Sequence, residues 1–298
     1  MIAGIRRDAG LLPREKRVSS CHARFAIGAA MLLLAALGGC DRPPVPQAPA
    51  KDAEAATADG ESRHEVRVAA AADLRFALED AIQAFEKANP EIHVTATFGS
   101  SGNFFQQLSN KAPFDLFLSA DIGYPEKLIE QELALPDTLF EYATGKIVVW
   151  ARKDSPLKVD FDGIEVLRNP DAKKIAIANP KFAPYGRAAE AALKSLNLYD
   201  EVEPRLVLGE NIAQTAQFVE SGSADVGIIA LSIALIPTMR NQGQYALVPT
   251  DAYPPIRQGG VVLSWVVDRE ATLRFRDFLE SPRGRAVLDH FGFSGEEK

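Results

Sequence analysis

Apolar residues along this chain come in two alternating rhythms. Val66 to Ala71 is a short continuous apolar run. It is followed by a segment with apolar residues at helical spacing, Leu74, Ala77, Leu78, Ala81, Ile82 and Phe85, which stops before Pro90. Ile92 to Phe98 reads as a second strand and Phe104 to Leu108 as a second helix. Leu116 to Leu118 is a third strand, passing through Ser119, Ala120 and Asp121 into a helix that takes in Leu128 and Ile129. The alternation continues with strands at Ile147 to Ala151, Ile175 to Ala178, Leu206 to Leu208, Val226 to Ala230 and Gly260 to Val267. Helices are expected at Arg187 to Leu196, from Ile212 to Val219, at Thr272 to Leu279 and around Gly284 to Phe291. Strands that alternate with helices predict an α/β fold with mostly parallel sheets flanked by helices. In such sheets a ligand sits beyond the carboxyl ends of the strands, where the strand-to-helix turns gather.

Those turns are built from small and polar residues. Gly99-Ser100-Ser101-Gly102 opens a helix, and the first turn of a helix has unpaired N–H groups and a positive dipole end. The plain alternative is that serine there is only a cap. Three more junctions have the same form: Ala71-Ala72-Asp73-Leu74, Ala183-Pro184-Tyr185-Gly186 and Gly209-Glu210-Asn211-Ile212. Each alone is a cap or a loop; four pointing at one spot describe an anion site.

The N-terminal end has a different character. Arg6, Arg7, Arg14, Lys16, Arg17 and Arg24 precede an apolar run from Phe25 to Leu37, the layout of a signal peptide over residues 1–39. Leu37-Gly38-Gly39-Cys40 resembles a bacterial lipobox, which implies lipid attachment at Cys40, and Asp41 resembles the signal for retention at the inner membrane. Residues 40–64 carry Pro43, Pro44, Pro46 and Pro49 with almost no large apolar side chain, and read as a disordered tether. The other of the 2 cysteines, Cys21, falls within the signal, so the folded part contains no thiol chemistry.

Charge narrows the partners. Without the six basic and two acidic residues of the signal, 27 Lys+Arg face 38 Asp+Glu, a net charge of −11. Such a body argues against nucleic acid and against docking on anionic lipid by charge. An anion would have to be held by oriented dipoles. Catalytic patterns are sparse. His22, His64, His93 and His290 have no nucleophile motif around them, and neither a metal-binding spacing nor a P-loop is present. Capture fits these features better than conversion, and no enzyme activity or cofactor is expected.

On these motifs the chain resembles the periplasmic molybdate-binding proteins of ABC transporters, members of the type II periplasmic binding protein family. The resemblance runs from about Val66 to Phe293. It is carried by Ala70-Ala71-Ala72-Asp73-Leu74, Gly99-Ser100-Ser101-Gly102, Asn179-Pro180, Ala183-Pro184-Tyr185-Gly186 and Gly227-Ile228-Ile229-Ala230. Its most specific part is the string Ala112-Pro113-Phe114-Asp115-Leu116-Phe117-Leu118-Ser119-Ala120-Asp121.

The resemblance implies a two-lobed fold with a ligand cleft between lobes, residues 65–149 and 250–298 forming one and 150–249 the other. It implies a monomer that hands molybdate, and also tungstate, to an ABC membrane permease, with the protein in the periplasm and held to the membrane by its lipid alone. Ser101 would give its hydroxyl and amide, Tyr185 and Ile212 backbone N–H groups, and Ala72 and Asp73 the first-turn positions, where relatives often carry serine, threonine or asparagine. Two departures stand out. Ala230 takes the place of a tyrosine hydroxyl that some members use, for which Tyr185 can compensate. Asp73 puts a carboxylate where a donor is wanted; the expectation is that it turns aside to cap its helix and leaves its amide to the ligand. The alternatives are a direct place for Asp73 or Glu210 around the metal, another small oxyanion, an organic acid held by Arg187, or an enzyme on the same two-lobed fold.

Overall fold

The computed structural model describes residues 64–293; the signal segment, Cys40 and nearly all of the tether lie outside the described residues. Strand β1 begins at His64, the last residue of the expected tether.

Among the described residues, ten strands form two five-stranded sheets. In the first, β1 (His64–Ala71) lies between β2 (Ile92–Gly99) and β3 (Leu116–Ser119), followed by β10 (Ile256–Val262) and β4 (Phe140–Gly145) at the edge. In the second, β6 (Ile175–Ala178) lies between β7 (Leu206–Gly209) and β8 (Val226–Ala230), followed by β5 (Ile147–Arg152) and β9 (Gly243–Leu247). β1 pairs in parallel with β2 and β3, and β6 with β7 and β8. β10 and β5 pair antiparallel with both neighbours, so four strands of each sheet run one way and one is reversed. The longer helices are α1 (Arg75–Glu86), α2 (Ser101–Ser109), α3 (Gly123–Glu130), α4 (Pro184–Ser195), α5 (Ile212–Glu220), α6 (Arg269–Glu280) and α7 (Pro282–His290).

Why these residues form these elements is visible in their burial. Ile147, Val148, Val149 and Trp150 of β5 are all fully buried, as expected of a strand covered on both faces. In α1 the residues Ala77, Leu78, Ala81 and Phe85 are buried at helical spacing, and Phe85 meets Phe275 of α6 edge-on with centroids 5.0 Å apart. The motif string before β3 has a structural duty. Buried Asp115 accepts from the Arg67 backbone N–H and guanidinium and from the Val267 N–H, fastening β3's entry to β1.

The chain passes between the sheets twice, at Lys146 between β4 and β5, and on the return from β9 to β10. The two passages are tied together: the Tyr253 hydroxyl accepts from the Ile147 N–H at 3.3 Å, and the Val248 N–H donates to Ile147 O at 3.1 Å. Residues 147–149, expected with the first lobe, therefore belong to the second sheet. The last strand is also displaced from expectation. It spans Ile256–Val262 instead of starting at Gly260, because the polar stretch Arg257-Gln258 is part of the ladder.

Candidate functional site

Four strand ends converge on one small cavity. β1 runs into a turn of 3-10 helix at Ala72–Leu74, β2 into α2, β6 toward α4 and β7 toward α5. Ala72, Asp73, Ser100, Ser101, Tyr185 and Ile212 are among the lining residues, and the cavity they leave is only about 10 Å³. That is about the room one water molecule needs, so the turns close tightly on this space. Among the described residues, no lysine or arginine lines it.

The helix starts leave particular amides facing this space. In α5, the Asn211 side chain accepts from the Ala213 and Gln214 N–H groups, both at 3.0 Å, which leaves Ile212 N–H outside the cap. In α4, Pro184 has no N–H, and Gly186 and Arg187 both donate to Ala183 O, leaving that of Tyr185. In α2, Gly102 donates to Phe182 O at 2.9 Å, and Ser101 keeps the first amide of the helix. The three residues expected to offer backbone donors thus line one cavity, together with Ala72 and Asp73.

The hydroxyls divide the work differently from expectation. Ser101 Oγ accepts the Ala120 N–H at 3.0 Å, which fixes the oxygen and leaves its hydrogen to be donated elsewhere. Ser100, which sequence reasoning passed over, is buried, and its Oγ has no protein partner. Its position as the cap residue was legible, but its side chain does not cap the helix.

Asp73 does not cap its helix as expected; its carboxyl is buried at the cavity wall. Its Oδ2 accepts from the Tyr185 hydroxyl at 2.8 Å and from Gln258 Nε2 at 2.7 Å, and Gln258 Nε2 also reaches the Tyr185 oxygen at 2.9 Å. The Ser232 hydroxyl donates to the Asp73 carbonyl oxygen. Burial pushes the Asp73 carboxyl up to about 6, against the pull of the Gln258 and Tyr185 hydrogen bonds. Burial first, and then the Asp73 charge, hold the Tyr185 phenol well above its ordinary range, so it is a neutral donor. The Tyr185 hydroxyl is therefore engaged by Asp73 and does not replace the donor absent at Ala230. Gln258 was missed altogether: it is fully buried on β10 and has no local sequence signal.

Two other expected residues lie elsewhere. Glu210 is exposed, with Oε1 accepting from Asn103 Nδ2 at 3.3 Å, and it does not line the cavity. Arg187 donates to Asp121 and to the Tyr124 hydroxyl, outside the cavity lining. Glycine 145 has a steric duty here. A Cβ on it would lie 2.2 Å from the Tyr185 hydroxyl and 2.9 Å from Gln258 Nε2. Gly145→Ala is therefore expected to break the Asp73–Tyr185–Gln258 cluster and to lower thermal stability by several degrees, which a melting curve would report.

The family profile of the bacterial extracellular solute-binding proteins matches residues 66–294. The chain belongs to that family. Among relatives, the molybdate-binding protein ModA of Azotobacter vinelandii is 39% identical over 229 residues, covering 77% of this chain and 89% of that one. ModA of Rhodobacter capsulatus is 39% identical over 203 residues, covering 68% of this chain and 78% of the relative. The solved structure of the Azotobacter vinelandii periplasmic molybdate-binding protein superposes with a TM-score of 0.74 at 32% identity, covering 78% of this chain and all of that one. The solute-binding protein architecture explains the cavity's place, between two sheets at the ends of their parallel strands.

Proposed function

We propose that this chain is an extracytoplasmic solute-binding protein that captures molybdate, and also tungstate, for delivery to an ABC importer. The observation that carries the reading is the cavity itself, ringed by first-turn amides and two serine hydroxyls without a cation. Such a site suits a tetrahedral oxyanion whose four oxygens are all acceptors. The relatives named for molybdate supply the ion. An organic carboxylate would call for a bidentate arginine, and Arg187 is paired with Asp121. The ionisable side chains of the cavity, Asp73 and Tyr185, are bonded to each other, which favours a binding role over a catalytic one. We further propose that the protein acts as a periplasmic monomer, anchored through Cys40 to the inner membrane and docking on a permease, with lobes hinged at the two passages between the sheets.

In this reading Ser101 donates its hydroxyl and amide, Ser100 a second hydroxyl, Tyr185 and Ile212 their amides, and the turn at Ala72 and Asp73 the rest. Selection against sulfate rests on the size of the cavity, since both dianions offer four acceptors. Molybdate or tungstate is expected to raise the melting temperature of the protein, and sulfate to leave it nearly unchanged. Absence of binding heat with either metal oxyanion at neutral pH would overturn the assignment. Ser101→Ala is expected to weaken binding by about 1–3 kcal/mol through the lost donor; an unchanged affinity removes that serine from the site.

A further inference from the structure

Asp73 breaks the pattern of donors around the cavity, and its surroundings say how. It is 2% exposed, lines the cavity, and has one oxygen satisfied twice and the other not at all. Oδ2 takes the Tyr185 and Gln258 hydrogens; Oδ1 is buried without a partner. Among the described residues, no lysine, arginine or histidine pairs with this carboxyl. The groups that face it are phenols, Tyr185 of α4 and Tyr142 of β4. Charged side chains on the surrounding elements are turned to other partners: Arg75 to Glu79 on α1, His93 of β2 to Glu86, Arg187 of α4 to Asp121, Lys194 of α4 to Glu190, and Arg257 of β10 to Glu141 of β4. Asp80 of α1 is exposed, and Glu220 lies at the far end of α5 from the cavity.

A bare carboxylate oxygen beside a dianion offers no hydrogen and repels it at close range, with no cation to offset the charge. A carboxylic acid in the same place offers a hydrogen, as serine, threonine or asparagine would. We propose that in the ion-bound protein Asp73 holds a proton on Oδ1 and donates it to an oxygen of the oxyanion, so that each dianion captured takes up one proton from solvent. The balance is simple: ionised Asp73, a dianion and a solvent proton become neutral Asp73 hydrogen-bonded to the dianion. No bond within the ion breaks, and the proton returns to solvent on release. Burial alone already draws this carboxyl toward the neutral form, and two negative charges beside it act in the same direction.

The proposal rests on the oxyanion reading above, and its test separates the two. Sodium molybdate is titrated calorimetrically into the purified protein near pH 8, in Tris and in PIPES, whose ionisation heats differ. The expected result is uptake of about one proton per ion and an affinity that falls about tenfold per pH unit between about pH 7 and 9. Asp73→Asn is expected to bind molybdate with no proton uptake and with an affinity flat across that range. Molybdate binding by the wild type without proton uptake overturns the proposal, as does uptake that persists in Asp73→Asn. If Asp73→Asn does not give a native circular dichroism spectrum, Asp73→Ser decides by the same readout. No molybdate heat in either buffer at any pH overturns the oxyanion reading instead.

Discussion

Gly102→Ala is expected to weaken molybdate binding by about ten- to a hundredfold while the melting temperature of the ligand-free protein stays nearly unchanged. Gly102 sits in the first turn of α2, one residue past Ser101, and its N–H donates to Phe182 O in the turn that leads into α4. A Cβ there would lie 2.7 Å from Phe182 O, 3.0 Å from Phe182 Cα and 2.9 Å from the Tyr124 hydroxyl. Phe182 O and Cα are backbone atoms and do not swing aside, so the two faces of the cleft must separate by a fraction of an ångström. Overpacking of this kind costs about 1–3 kcal/mol, and about 1.4 kcal/mol is a tenfold change in affinity. The cost falls on the arrangement in which α2 and the turn before α4 meet, the one the proposed hinge between the sheets would close. Titration calorimetry with a parallel melting curve separates the outcomes. Full affinity in the variant would show that α2 and the Phe182 turn are apart when the ion is bound.

The second large effect concerns stability and pH. The Asp73 carboxyl stands at about 6 in the folded protein, against 3.8 for an ordinary aspartate. Between those values the native state holds a proton that the unfolded chain releases, so this group's contribution to stability falls as pH rises through the window and is constant above it. The two values differ by an amount worth about 3 kcal/mol. Asp73→Asn keeps an oxygen for the Tyr185 hydroxyl and for Gln258 Nε2 but has no charge to bury. Its stability advantage over wild type is expected to be near zero at about pH 4 and to reach up to about 3 kcal/mol by about pH 7. Urea unfolding of both proteins across that range measures the difference directly. An advantage that does not change with pH would mean that the Asp73 carboxyl ionises as an exposed one does.

Much of this was legible in the sequence because the signals were local. Helical spacing in α1, the apolar run of β5 and the Gly-Ser-Ser-Gly turn each declare themselves within ten residues. The strands that escaped notice are those with mixed patterns. β4 carries Glu141, Thr144 and Gly145, and β9 is a half-buried edge strand of five residues. Which of two adjacent serines has the unpartnered hydroxyl depends on where the cap falls, a matter of one residue that spacing does not resolve. Gln258 had no local signal at all. A glutamine in a strand reads as solvent-facing until its partners, 185 and 73 residues away along the chain, are brought beside it. For Asp73, the chemical misfit could be read from the residue type, but the phenol and the amide that hold it could not.

The position of β10 has a consequence for when the cavity comes into being. This strand is drawn from the last fifth of the chain, yet it pairs directly with β3 and carries Gln258 into contact with a residue of the first turn. A polypeptide emerging from its N-terminal end has β1, β2 and β3 available long before the strand that completes them. Until β10 is in place, Asp73 lacks the amide that shares its oxygen with Tyr185, and β4 lacks the neighbour that joins it to the sheet. Pairings of this range also make assembly slow relative to local helix formation. A chain that ends before β10 thus has every residue that lines the pocket but not the amide that holds Asp73 in its wall.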